Sequence, residues 1–141
     1  MKLANLFGPQ RHVHQFADAV ATAGTELEEV CFLAPFNIKI DAVYIVPTTA
    51  IADDATDYVG VAVKNKGTAG TGTTVVASRD FDAADGSDDV AACTDAALTL
   101  SSTAANLLVD AGETLTAAVT KGGSGESLDG ILVIEYHGCG G

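Results

Sequence analysis

The chain has 141 residues, a mass of 14.2 kDa and a formal charge of −12, from 7 basic and 19 acidic side chains. That length fits one domain with a real core, since area scaling gives a folded surface of roughly 6,800 Å² against roughly 20,000 Å² unfolded. The charge speaks against a binder of nucleic acid or of an anionic membrane, both of which need a basic footprint. With only 18% of residues charged, the chain is not a disordered acidic tail either.

The first fifteen residues differ from the rest. They hold Lys2, Arg11, His12 and His14, and the first acid is Asp18, so an arm of about +2 precedes a body of about −14. The same segment carries Leu3, Leu6 and Phe7 ahead of the Gly8-Pro9 break, a pattern that suits a docking strap, with a frayed terminus as the alternative. No apolar run matches a signal-peptide core, which predicts synthesis in a reducing cytoplasm. No stretch approaches the roughly 20 apolar residues of a membrane span.

Val13 to Ala23 fits helical spacing through Val13, Phe16, Ala17 and Val20, and period two through His14, Phe16 and Val20. The strand reading is preferred because everything downstream reads as strand. Leu27 to Leu33 is a short strand that stops before Pro35. Phe36 to Val46 alternates, with Phe36, Ile38, Ile40, Ala42, Tyr44 and Val46 on one face. The other face turns from Asn37, Lys39 and Asp41 to Val43 and Ile45, as if the strand entered a two-sided core. Tyr58–Lys66 and Thr74–Phe81 form a hairpin around the loop Gly67 to Gly72. Further strands are expected near Ala97–Ser101, Thr114–Thr120 and Gly130–Tyr136. Thr and Val favour strands, and the 24 alanines among them do not signal helix. The expected fold is an all-β antiparallel β-sandwich, jelly-roll-like, of seven to eight short strands with an N-terminal arm. Residues 1–23 are the arm and first-strand region, 24–137 the sandwich and 138–141 a flexible tail.

No chemistry-bearing motif completes itself. The Gly67–Gly72 loop has no Lys after its last glycine and no following helix, so it lacks the parts of a phosphate loop. Asp53, Asp54 and Asp57, with Asp82, Asp85, Asp88 and Asp89, invite calcium, but the spacing is not that of an EF-hand and no Glu closes the loop. Solvated loops are the expectation, with a non-EF site as the alternative. His12 and His14 would make half a zinc site, and His137 and Cys139 have the right ligand types to complete it. Cys31, Cys93 and Cys139 form no CxxC pair and read as buried or tail thiols. Gly122-Gly-Ser124-Gly125-Glu126 fails the G-x-S-x-G pattern at its last position. No catalytic residue, metal or cofactor is expected, and the chain is not expected to be an enzyme.

One ordered set of segments carries a resemblance. It runs from Cys31-Phe-Leu-Ala34-Pro35 to Tyr44-Ile-Val46-Pro47, then through Asn65-Lys-Gly67 and Thr74-Val-Val-Ala-Ser78. It continues at Ala97-Leu-Thr-Leu100, Val109-Asp-Ala-Gly112-Glu-Thr-Leu115 and Gly130-Ile-Leu-Val-Ile-Glu-Tyr136. Over roughly residues 27–136 the chain resembles small all-β structural proteins of tailed bacteriophage virions, of the capsid decoration or cement type. The resemblance implies a protein made in the host cytoplasm that binds the outer surface of a capsid and stabilises it by bridging shell subunits. Its implied partners are the major capsid protein and further copies of itself, with a trimer favoured. The basic arm lies outside the resemblance and supplies the interface candidates, Leu3, Leu6 and Phe7 as anchors and Lys2 and Arg11 as charge contacts. The alternative is a carbohydrate- or receptor-binding module on a phage tail or head fibre. Few aromatics (6%, no Trp) count against it, because sugar faces stack on rings.

Overall fold

The computed structural model describes residues 8–19, 25–83, 85–124 and 128–140. Ten strands follow one another: β1 (Gln10–Ala19), β2 (Glu26–Leu33), β3 (Ile38–Pro47), β4 (Val59–Asn65), β5 (Thr74–Asp80), β6 (Ala96–Ala97), β7 (Thr99–Leu100), β8 (Leu108–Val109), β9 (Thr114–Lys121) and β10 (Leu128–Gly138). A 3-10 turn, Ala104–Leu107, leads into β8.

They form two antiparallel five-stranded sheets. Sheet A runs β1-β10-β3-β6, with β8 also on β3, and sheet B runs β2-β9-β4-β5-β7. Apart from the β4–β5 hairpin, successive strands cross from sheet to sheet, and the last two return between the first four, which is a jelly-roll arrangement. The segment 10–19 is a strand along β10, from Gln10 opposite Tyr136 to Ala19 opposite Leu128. The strand reading of Val13 onward is therefore correct within the described residues.

The inner faces supply the core. Phe16, Ile38, Ile40, Val43, Ile45, Leu132 and Ile134 come from sheet A, and Val59, Val61, Val63, Val76, Leu115 and Val119 from sheet B, all nearly inaccessible. The total exposed surface is 7053 Å², close to the scaling value for this mass.

Two local features depart from the simple alternation. In β3, Ala42 faces Glu135 but Ile40 faces Tyr136, so Asp41 is an inserted bulge residue. The bulge moves the buried set from Ile38 and Ile40 to Val43 and Ile45, while Ala42, Tyr44 and Val46 turn outward. The single face expected from Phe36 to Val46 is thus broken at Asp41, and the strand is not enclosed on both sides. The expected strand Ala97–Ser101 divides at Leu98. Ala96–Ala97 pairs with β3 in sheet A and Thr99–Leu100 with β5 in sheet B, so the chain changes sheet at a buried leucine.

Candidate functional site: the outer face of sheet A

The two outer faces differ in chemistry. Sheet B presents ion-paired polar groups at the centre of its outer face. Lys64 pairs with Glu26 at 2.6 Å and Lys66 with Glu28 at 3.1 Å, around buried Thr116, whose hydroxyl donates to Glu28. That hydroxyl and, more weakly, Lys66 hold the Glu28 carboxyl below its ordinary range.

Sheet A presents an apolar centre. Register places Val13 beside Val133 and Val133 beside Tyr44, with Ile131 beside Val46 in the next outward row. Ala97 extends the Tyr44 row on β6. Antiparallel sandwiches ordinarily alternate apolar-in and polar-out, so an apolar outer row departs from that pattern. Val13 is 50% exposed. Ala42, Tyr44, Val46 and Ile131 are partly exposed, and Val133 is buried between its neighbours.

A polar rim surrounds this centre. Arg11 donates to Glu135 at 2.6 Å, and its guanidinium lies 6.0 Å from the Tyr44 ring, reaching across β10 above Val133. His137 Nδ1 meets Asp41 at 2.7 Å. An open depression of about 450 Å³ at one corner is lined by Pro9, Gln10, Arg11, Asp41, Glu135 and Tyr136. An apolar centre with a charged rim is the anatomy of a protein interface.

Of the sequence candidates, Arg11 lies on this rim, within β1 rather than on a free arm, and it is already paired in its own chain. Lys2, Leu3, Leu6 and Phe7 lie outside the described residues. The face is only faintly marked in the sequence. The continuous run Ile131-Leu-Val-Ile134 and the apolar pair Tyr44/Val46 were its signal.

The other candidate clusters resolve into structural roles. His12 and His14 point inward from β1, while His137 points outward from β10, so the two sides of a composite zinc site face opposite ways. His12 Nε2 donates to the Cys31 carbonyl at 2.6 Å and its ring lies 4.9 Å from that of Phe32, while His14 Nε2 sits 3.5 Å from Glu29. The acidic loops are stapled to each other. Asp53 accepts from the Gly86 and Asp88 amides at 3.1 and 3.0 Å, Asp89 accepts from the Asp53 amide at 2.9 Å, and Ile51 and Val90 exchange backbone hydrogen bonds. Arg79 closes the cluster onto Asp88 at 2.7 Å. Both Asp53 oxygens and one oxygen each of Asp88 and Asp89 thus already accept from amides or a guanidinium. No group of three or more His, Cys, Asp or Glu among the described residues is arranged to hold a metal. Gly67 to Gly72 is the hairpin loop between β4 and β5, closed by the Gly72 amide on the Lys66 carbonyl. Cys31 is buried, and burial pushes its thiol up to about 12. Cys93 is exposed.

No family model matches the chain, and no curated protein matches it. Among solved structures, infectious bursal disease virus Gx strain aligns over 94% of this chain and 33% of its own, at 14% identity and a TM-score of 0.35. The infectious bursal virus derived T=1 particles align over 92% and 32%, at 14% identity and a TM-score of 0.39. The chain thus spans about a third of the length of these neighbours, and similarity this distant carries no inference about function.

Proposed function

We propose that this chain is a structural protein of a virion, of the capsid-decoration type, that seats on the outer surface of a shell through the outer face of sheet A. The observation that carries the reading is the apolar row Val13, Val133, Tyr44 and Ala97 across four strands, on a face with an ion-paired rim and no covering element among the described residues. The resemblance to decoration proteins and the jelly roll, an architecture shared by viral capsids and lectins, agree with it. The protein acts by linkage. It binds the assembled shell and not the dissociated subunits, so each bound copy adds its binding free energy to shell stability. Its partners are the major capsid protein and further copies of itself, and it carries out no reaction. The acidic body of the chain faces solvent and keeps many copies soluble.

The test is imaging of phage particles with and without the chain. Density over the shell, with sheet A inward and sheet B outward, is the expected result. Density confined to a tail tip or head fibre would favour the receptor-binding alternative and overturn the decoration reading.

A further inference from the structure

Strand β2 is an edge of sheet B, paired only with β9 among the described residues. Yet it bears three of the six large hydrophobic side chains that stand exposed there, Leu27 at 41%, Val30 at 66% and Leu33 at 61%. An unpaired apolar edge invites strand addition unless something covers it. Beside Val30 the surface dips into an open groove of about 520 Å³, walled by Thr68, Ala69 and Gly70 of the hairpin loop and floored by Thr114 and Thr116. The glycine-rich hairpin loop is thus one wall of this groove.

Chemistry selects the occupant. β2 interleaves its apolar residues with Glu26, Glu28 and Glu29 in a body of about −14, so two β2 edges facing each other would oppose like charges. Residues 1–7 are the complementary segment, apolar at Leu3, Leu6 and Phe7, basic at Lys2 and free of acids. Their position is also suitable. His12 touches Cys31 and His14 touches Glu29, so β1 and β2 run antiparallel and the chain before Gln10 leaves beside the Leu33 end of β2. Extended, seven residues reach about 23–25 Å, close to the roughly 27 Å of β2. Docking onto the same chain's β2 would require Gly8 and Pro9 alone to cross the roughly 10 Å between sheets and reverse the chain. A neighbouring copy imposes no such constraint.

We propose that residues 1–7 of one copy lie along β2 of the next, with strand addition at residues 26–30 and apolar side chains against Val30, Leu33 and the groove. The Cys31 carbonyl is already taken by His12, which limits the added strand to that part of the edge. The contact is heterologous, so it links copies head to tail, into a ring where the rotation closes and an open chain of copies where it does not. It goes beyond the decoration reading and needs no shell, so the two fail separately.

The test compares masses in solution by light scattering for the full chain, for a chain lacking residues 1–7, and for Val30→Lys, with circular dichroism as the control for folding. The full chain is expected to be an oligomer and each variant a single chain. Leu33→Lys gives a second acceptor-side variant if Val30→Lys does not fold. An equimolar mixture of the truncated chain and Val30→Lys is expected to restore a 1:1 dimer, because one supplies the acceptor edge and the other the arm. A single-chain mass for the full protein, which docking in cis would also produce, overturns the proposal. So does an oligomer of the truncated chain, an oligomer of folded Val30→Lys, or a mixture that stays monomeric.

Discussion

Val13→Asp isolates the contact made by the outer face of sheet A. Full burial of a valine contributes about 1.5–3 kcal/mol, and Val13 is 50% exposed, so covering its open half contributes about 0.8–1.5 kcal/mol. A carboxylate trapped there without a partner costs about 1–3 kcal/mol more. The sum, about 2–4 kcal/mol, corresponds to a weakening of about 30- to 1,000-fold in Kd for each shell contact. The fold itself should lose little, within about 0.5 kcal/mol, because a half-exposed edge-strand position carries little of the core. The assay is co-sedimentation of labelled protein with purified shells over a concentration series, with a thermal melt beside it. Val13→Lys should lose less than Val13→Asp, since the lysine stem keeps apolar cover while its charge reaches the rim. A folded Val13→Asp that saturates shells at the wild-type midpoint would refute the assignment of this face.

Three other outcomes test the physical account of the fold. Gly130→Ala should destabilise by on the order of 3 kcal/mol, seen as a lower denaturation midpoint, because Gly130 has φ +144 and a Cβ there would lie 2.3 Å from the Val46 carbonyl oxygen. Cys31 keeps its proton in the fold up to about 12, against an ordinary value near 9. Its raised folded pKa gives a stabilisation that is complete below about pH 9 and is lost as pH rises towards 12. Cys31→Ala should therefore flatten the alkaline fall in unfolding free energy relative to wild type, and an unchanged slope would show that the thiol is not insulated. Asp53→Ala should lower stability by about 1–2 kcal/mol by removing the two charge-assisted hydrogen bonds from the Gly86 and Asp88 amides, and millimolar calcium should not shift the melting temperature of the wild type. A calcium-dependent rise would show that those carboxylates are free to bind a cation.

The sandwich class, the main strands and the β4–β5 hairpin were legible because their information is local. Val59, Val61 and Val63 alternate with smaller residues, Pro47 closes β3, and glycines mark the hairpin loop. The bulge at Asp41 was not legible, since an inserted residue is defined only by the partner strand that skips it. The division at Leu98 was hidden for the same reason, because each half belongs to a different sheet. The acidic clusters could be counted from the sequence, but whether their oxygens were free depended on amides some 35 residues away.

Sequence by itself determined an acidic, cysteine-poor all-β chain whose N-terminal segment carries net positive charge, since charge and alternation are properties of neighbours along the backbone. Tertiary structure alone decided which of the apolar residues are core and which face outward. Ile134 and Val133 are adjacent and equally apolar, yet one lies between the sheets and the other in the outer row of sheet A. Side chains on a strand alternate by geometry, and only the placement of the second sheet determines which side is the inside.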